Sequence, residues 1–338
     1  MLSAAPSQPA RAPELPDPRG PLSAAVLASL RGERRIPVDV DGADPFGDDL
    51  QLALYCCYEL HYRGFAGVSD DREWDPDLLG VRRDLERVFL AALRAEVTPG
   101  TDVAAEVEAL LVEPVNAVGV SHHLHRDGAL WQLREYLVHR SIYHLKEADP
   151  QAWVIPRLFG PAKAALVLVE YDEYGAGDPD RMHARLFADM MTELDLSDVY
   201  GAYLDRVPGA TLAEVNFMSL CGLHRSLRGA LVGQFAVVEL TSSPGSDRLV
   251  RALRRLNCGP AAIEFYAEHV EADAVHEQII RRGVLTPLLA AEPDLAADVV
   301  FGIRASSLLA DRLSALLLDR WGKGESTLRY SLLPGAGR

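Results

Sequence analysis

The sequence predicts an all-α protein, because helical periodicity recurs along almost the whole chain. Residues 50–63 and 81–95 carry apolar side chains at the i, i+3, i+4, i+7 spacing that places them on one helix face. Gly-Pro pairs at 160–161 and 259–260 supply the stops that such helices need. The short extended run at 327–332 is too isolated to form an alternation of strands and helices.

Helices are predicted through the rest of the chain, most of them ending near a proline or a glycine. Pro244 is predicted to separate two of them, and Gly283 to end the last but one. In chain order, the further predicted helices are 103–112, 128–147, 161–174, 180–194, 211–222, 227–242, 246–256, 260–282 and 294–319.

The first 35 residues are predicted to be a disordered, proline-rich tail. Six prolines lie among residues 1–21, a density that disrupts both helices and sheet ladders. The tail lacks the apolar core of a secretory signal. Residues 36–338 are predicted to form a single all-α domain, because short loops join the helices and no internal repeat divides them.

Composition excludes several classes of function. The formal net charge of −15 disfavours binding to a phosphate backbone, so nucleic acid is not an expected partner. No apolar run approaches the roughly 20 residues of a membrane span, so no membrane association is expected. The four cysteines form no CxxC pair, which favours a reducing cytoplasm. Neither a dinucleotide fingerprint nor a P-loop is present, so no nucleotide-binding residues are predicted.

The segment 263–280 carries the most informative polar pattern. His269, Asp273 and His276 stand at i, i+4 and i+7, which at about 100° per residue places all three on one narrow helix face. Imidazole and carboxylate groups are typical metal ligands, so this stripe indicates a metal site. The alternative is a solvent-facing polar stripe, since three glutamates lie nearby, although they fall largely off the His/Asp face.

Glu239 is a candidate carboxylate ligand from a neighbouring helix. It follows the apolar segment 231–238 and shares a face with Val232 and Phe235. A carboxylate on that face carries a large desolvation penalty unless a cation or a proton neutralises it. The alternative is a carboxylate at the helix end that reaches water.

Glu173 and His183 are the remaining candidates. Glu173 ends the predicted helix 161–174, and His183 opens the next helix ten residues later. Glu170, one turn before Glu173, is a rival ligand. By itself, His183 is an ordinary first-turn residue. It becomes a candidate metal ligand, with Glu173, because the stripe of His269, Asp273 and His276 already indicates a metal site.

Other histidines indicate no metal site. His122, His123 and His125 follow Gly119 at a spacing typical of a connector, where a solvated loop or a helix cap is expected. Glu135 and His139 are four residues apart on a helix, which favours an ordinary polar pair.

The order of these candidate ligands resembles that of the haem-oxygenase-like di-iron oxidases, and especially their iron-containing redox enzyme group. The shared pattern begins with Glu-x9-His, followed by a second Glu about 66 residues after the first. His-x3-Asp-x2-His comes about 30 residues after that second Glu. The resemblance spans about residues 50–285. The local strings that carry it are LHYRGF (60–65), LKEADP (145–150), DEYGAG (172–177), TLAEVNFMSL (211–220) and HVEADAVHE (269–277).

The resemblance implies a haem-oxygenase-like helical bundle with extra N-terminal helices and a metal-binding core at roughly 90–325. It implies that the metal ligands are Glu173, His183, Glu239, His269, Asp273 and His276. Gly175, Gly177 and Pro179 interrupt the chain between Glu173 and His183, so these two cannot share one regular helix. Glu170 and Asp180 therefore remain as substitute or additional ligands.

The implied function is that of a non-haem di-iron oxidase or oxygenase, an iron-dependent oxidoreductase with two irons per chain. Its expected partners are dioxygen, a small-molecule substrate and an electron donor, with a homodimer as a further expectation. One alternative is a metal-free enzyme on the same bundle, similar to quinone-cofactor synthases or thiaminases, in which the six side chains diverge. Another is a non-catalytic helical ligand-binding protein, with a packed centre and histidines bonded to backbone or water.

Overall fold

The computed structural model describes residues 12–33, 38–114 and 116–332, and confirms the all-α prediction. Within these ranges the regular structure is helical and no strand occurs. The helices are α1 Pro21–Leu30, α2 Asp48–Glu59, α3 Pro76–Glu96, α4 Val103–Leu111, α5 Val120–Arg126, α6 Leu130–His144, α7 Asp149–Ala152, α8 Gly160–Glu173, α9 His183–Glu193, α10 Gly209–Leu223, α11 Arg228–Arg255, α12 Pro260–Gln278, α13 Thr286–Ala291 and α14 Ala296–Gly322.

The long helix α11 lies at the centre of the bundle, between α12 and α14. Its contact with α14 is close because two glycines face the partner helix. A Cβ on Gly233 would lie 2.2 Å from the carbonyl oxygen of Val299, and one on Gly302 would lie 2.0 Å from that of Ala230. Neither position can take a side chain without separating the two helices.

Two predicted helix stops are wrong. The structure carries α11 through Pro244 as one helix of 28 residues. A proline inside a helix removes one hydrogen bond and costs about 3 kcal/mol, which the packing of α11 against its two long neighbours offsets. Past Gly283 the chain also stays helical, because the π-helical turn Ile279–Leu285 joins α12 to α13.

The predicted tail is wrong over residues 21–30, which form α1. Val26 and Leu27 are fully buried, and α1 packs on α2. The carboxylate of Asp49 accepts hydrogen bonds from the backbone nitrogens of Leu22 and Ser23 at 2.9 and 2.7 Å, which caps the start of α1. Because that cap comes from α2, the local sequence could not indicate it. The predicted tail residues 1–11 and 34–35 lie outside the described ranges.

The connection after α14 is fixed to α6 by a buried polar network. Glu135 accepts hydrogen bonds from Nε1 of Trp321 at 3.1 Å and from the backbone nitrogen of Thr327 at 2.9 Å. His139 contacts Oγ1 of Thr211 at 2.6 Å and Oγ1 of Thr327 at 2.9 Å. Glu135 and His139 therefore bond to other partners, and the prediction that they pair with each other is wrong.

His139 is expected to make stability fall in acid. Burial, then the charge of Arg140, lowers the pKa of His139 to about 3. As the pH falls, His139 takes up a proton near pH 6.5 in the unfolded chain but only near pH 3 in the folded chain. Folding stability should therefore decline as the pH falls from 6.5 to 3. The slope from this group is at most about 1.4 kcal/mol per pH unit.

The substitution His139→Asn isolates this effect. The variant should be less stable at pH 7, because the contacts with two threonines are lost. Its stability should nevertheless fall less steeply than that of the natural chain between pH 6.5 and 4, as measured by denaturant unfolding. Parallel pH profiles for the two proteins would contradict the assignment.

The histidine cluster at 122–125 lies in a helix. His122, His123 and His125 belong to α5, not to a loop. Among the described helices, none combines the length and apolar character that crossing a membrane requires.

Candidate metal centre

The structure brings the six predicted ligand residues together in the interior. Each is at most 8% exposed. They come from the end of α8, the start of α9, the middle of α11 and one face of α12, and are Glu173, His183, Glu239, His269, Asp273 and His276.

These side chains form two groups that share Glu173. The first group consists of Glu147, Glu173, His183 and His269. The second group consists of Glu173, Glu239, Asp273 and His276. Within each group, the potential ligand atoms all lie within 4.8 Å of one another. One carboxylate with two oxygens therefore stands between two clusters of metal-ligating atoms.

A tight turn between α8 and α9 brings Glu173 and His183 into contact. Gly175 has a φ of 71°, and a Cβ there would lie 2.6 Å from the backbone nitrogen of Met182. The chain folds back so closely that Nδ1 of His183 lies 2.8 Å from Oε2 of Glu173. The predicted break between these two residues is confirmed, and the break is what aims both side chains at one place.

In the first group, Nε2 of His269 carries no proton and faces the carboxylates. Nδ1 of His269 donates a hydrogen bond to the carbonyl oxygen of Phe265 at 2.7 Å, one helical turn earlier. A neutral imidazole with its proton on Nδ1 has its lone pair on Nε2. That nitrogen lies 3.9 Å from Oε2 of Glu147.

His276 points the other ring nitrogen, Nδ1, at the carboxylates of the second group. Nε2 of His276 donates to Oδ2 of Asp172 at 3.2 Å, and the Asp172 side chain is 41% exposed. The lone pair of the neutral ring is then on Nδ1, 3.0 Å from Oε2 of Glu239 and 3.5 Å from Oδ1 of Asp273. A carboxylate behind an imidazole is the usual arrangement around metal-ligating histidines.

The carboxylates in the two groups repel one another. Burial raises the pKa of Glu239 to about 8, and the neighbouring Glu173 and Asp273 add to that effect against an opposing hydrogen bond from His276. Burial and the charge of Glu173 also hold the pKa of Glu147 well above its usual range. Two nearby imidazoles hold protons to compensate.

Those imidazoles are His183 and His276. Burial lowers the pKa of each, but carboxylate partners outweigh it: Glu173 raises that of His183 to about 9, and Asp273 and Glu239 raise that of His276 to about 11. Without a metal, protons neutralise the site. The same residues could hold metal cations in place of the protons, because they comprise four carboxylates and three imidazoles, which are typical metal ligands.

Glu147 was missed by the sequence prediction of the site. It lies three residues beyond the end of α6 and is 5% exposed. Glu147 occupies no helix-periodic position relative to the other candidates, and its neighbour Lys146 pairs with Glu59 instead, at 3.1 Å. Its presence in the string LKEADP was the one available signal. Asp172 was missed because its role depends on a contact between α8 and α12.

Glu239 does not lie at a helix end. The interpretation of Glu239 as a solvated terminal carboxylate is wrong, because α11 continues to Arg255 and leaves this side chain 3% exposed. The expected burial of this carboxylate is confirmed.

Neither substitute ligand belongs to the two groups. Asp180 is exposed in the loop before α9, where its backbone nitrogen donates to Oδ1 of Asp178. Glu170 is 2% exposed, and in the described part of the chain neither of its carboxylate oxygens has a hydrogen-bond partner. Burial, then the charges of Glu173 and Glu239, raises the pKa of Glu170 to about 9.

Glu170→Gln is expected to keep iron binding and to change the pH dependence of the metal-free protein. Between pH 4.5 and about 9, Glu170 keeps its proton in the folded state but loses it in the unfolded chain. This group therefore makes folding stability fall as the pH rises through that window. A glutamine removes the decline. Denaturant unfolding of the metal-free proteins measures this. Between pH 5 and pH 8, the free energy of unfolding of the variant should rise relative to that of the natural chain. If the variant instead loses iron, Glu170 is a ligand.

A cavity of about 800 Å³ opens beside the two groups. Glu147, Glu239, His269 and Asp273 line it, and it also extends between α6, α10, α12 and α14. A volume of this size holds a small organic molecule. The candidate metal centre thus adjoins a cavity large enough for such a molecule.

A family described as "iron-containing redox enzyme" matches residues 134–311, just over half of the chain. All seven residues of the two groups lie inside the matched segment, and α1–α5 precede it. No curated protein matches the chain.

Proposed function

The chain belongs to the iron-containing redox enzyme family and has a haem-oxygenase-like all-α fold with extra N-terminal helices, and on this premise we propose that it is a non-haem di-iron oxidase or oxygenase. In this proposal it activates dioxygen and oxidises a small organic substrate, with reducing equivalents from an electron donor. The observation that carries the proposal is that two buried ligand groups share Glu173.

Each group would hold one iron, and Glu173 would bridge the pair. Carboxylates with imidazoles from facing helices are the ligands of di-iron sites in helical bundles. Bound ferrous iron would supply electrons for the reduction of dioxygen. The protein would supply a fixed ligand geometry and a largely buried site.

Fixed geometry comes from the groups behind the histidines. The Phe265 carbonyl holds the proton of His269 on Nδ1, and the Asp172 carboxylate holds that of His276 on Nε2. Each imidazole thus points its potential metal-binding nitrogen at its group, and neither ring would have to reorient to bind a metal. Partners of this kind typically change metal affinity by about 10- to 100-fold when removed.

Aromatic packing shields one side of the first group from water. Phe187 and Phe265 are fully buried, with ring centroids 5.1 Å apart, and Phe265 also packs 4.3 Å from His269. Metal binding would displace the protons that Glu239 and His276 hold in the metal-free protein. Asp172 gives the His276 proton a hydrogen-bonded contact with the surface.

The two alternatives fit the geometry less well. A metal-free enzyme predicted that the six side chains diverge, whereas each group converges within 4.8 Å. A non-catalytic scaffold predicted histidines bonded to backbone or water. His269 does bond to the backbone, but its other nitrogen and both nitrogens of His276 face carboxylates.

Oxygen consumption tests the proposal. The chain is loaded with ferrous iron without oxygen, then mixed with oxygenated buffer in an oxygen electrode with a chemical reductant. The proposal predicts rapid oxygen uptake that is abolished when zinc replaces iron. Uptake no faster than that of free ferrous iron in buffer would contradict it.

A further inference from the structure

Two pairs of opposite charges that the candidate metal centre does not use line the cavity beside it. Arg140 and Glu214 form the deeper pair, because the Glu113 side chain of the Arg248–Glu113 pair is 44% exposed. Arg140 on α6 and Glu214 on α10 both line this cavity. Nη1 of Arg140 donates to Oε2 of Glu214 at 3.3 Å. The two side chains are 25% and 13% exposed, so both are largely withdrawn from water.

This pair is poorly satisfied for charges at such depth. The guanidinium has five N–H donors, and in the described residues its contact with Glu214 is a single long hydrogen bond while Nε is buried without a partner. A buried ion pair is tolerable when further hydrogen bonds compensate the desolvation of both charges. Arg140 and Glu214 therefore have capacity for a ligand.

Several further polar groups on the same cavity lack hydrogen-bond partners within the described chain. Nδ1 of His144 and Nε2 of Gln234 are buried and make no hydrogen bond, although both residues line the cavity and are less than 8% exposed. Unpartnered buried polar atoms are uncommon in folded proteins and each requires an explanation. Both residues line the same cavity as the Arg140–Glu214 pair.

The charges decide what kind of molecule fits. A simple anion facing Arg140 would also meet the carboxylate of Glu214, and a simple cation would meet the guanidinium. An apolar chain would leave all of these polar groups buried and unsatisfied, at about 1–3 kcal/mol each. A zwitterion satisfies both charges at once.

We infer that the substrate of this enzyme is a free α-amino acid, with its carboxylate on Arg140 and its ammonium on Glu214. The inference rests on the proposed function. The two protein charges are 3.3 Å apart, so the charges of the ligand must also be close together, as they are when both groups are on one carbon. A molecule with its amine and carboxylate at opposite ends does not match this spacing.

The rest of the amino acid then extends toward the candidate metal centre. Arg140 and His144 are one turn apart on the same face of α6, about 6 Å along the axis, and Glu147 of the first group follows. The side chain of the substrate, not its charged end, is therefore the part presented for oxidation.

Binding measurements on the full chain test this assignment. The iron-loaded protein, kept without oxygen, is titrated calorimetrically with each of the twenty common L-amino acids. For the tightest binder, the counterpart without the amine and the counterpart without the carboxylate are titrated next. At least one amino acid should bind, with an affinity at least tenfold higher than that of either counterpart.

Charge-neutral variants assign each contact. Arg140→Gln should bind the amino acid no more tightly than the counterpart without the carboxylate. Glu214→Gln should bind it no more tightly than the counterpart without the amine. Arg134→Gln is the matched control, because Arg134 is on α6 but pairs with Asp195, whose side chain is 84% exposed. Its binding should equal that of the natural chain.

Iron content and helicity, measured on every sample, separate this inference from the proposed function. The inference is overturned if none of the twenty amino acids binds, or if a counterpart with only one charge binds equally well. The proposed function then still holds if iron-dependent oxygen uptake is unchanged. If Arg140→Gln does not fold, Arg140→Lys and the counterpart titrations of the natural chain decide the question.

Discussion

Glu173→Gln should reduce iron binding from two irons per chain to fewer than one. Glu173 belongs to both ligand groups, and the substitution keeps its size while removing the charge that both cations require. His183 also loses its partner at 2.8 Å. Iron analysis after anaerobic loading, with circular dichroism to confirm helicity, measures the effect. Oxygen uptake should fall with the iron.

Glu170→Gln is the matched control for this experiment. It removes a carboxylate from the same helix, one turn before Glu173, at a buried position that belongs to neither group. It should retain two irons. If both variants keep their iron, Glu173 is not a bridge, and if both lose it, Glu170 is a ligand as well.

Asp273→Ala should remove one iron and leave the other. Asp273 belongs to the second group alone, where its Oδ1 lies 3.5 Å from Nδ1 of His276 and its Oδ2 accepts a hydrogen bond from Ser242 at 2.5 Å. Alanine is a good helix former, so α12 should stay intact. Iron analysis should give about one iron per chain, with oxygen uptake reduced at least 100-fold, a loss of about 2.7 kcal/mol or more in transition-state stabilisation.

Glu277→Ala provides the comparison on α12. Glu277 pairs with Arg281 at 2.8 Å and belongs to neither group. Its removal should leave iron content and oxygen uptake near those of the natural chain. An equal loss of iron in both variants would mean that the face of α12 carrying Asp273 is not the site.

Local spacing was enough to predict the parts of the site that lie on single helices. The stripe of His269, Asp273 and His276 follows from helical geometry alone, and the break between Glu173 and His183 follows from two glycines and a proline. In both cases the deciding residues are close together in the sequence.

Contacts between distant segments explain what the sequence did not predict. Glu147 and Asp172 join the site through packing of helices that the chain brings together only when folded. Pro244 reads locally as a stop, yet packing on both sides of α11 keeps the helix continuous. The start of α1 is capped by Asp49, which lies 27 residues beyond Leu22.

The number of irons held around Glu173 is the central claim, and Mössbauer spectroscopy tests it most directly. The full chain is loaded with two equivalents of ⁵⁷Fe(II) without oxygen, then exposed to oxygen and frozen. A bridged pair predicts two bound irons per chain and, after oxidation, a quadrupole doublet without magnetic splitting at low temperature in a weak field, because the two ferric spins couple. One bound iron, or the magnetically split spectrum of isolated high-spin ferric ions, would contradict it.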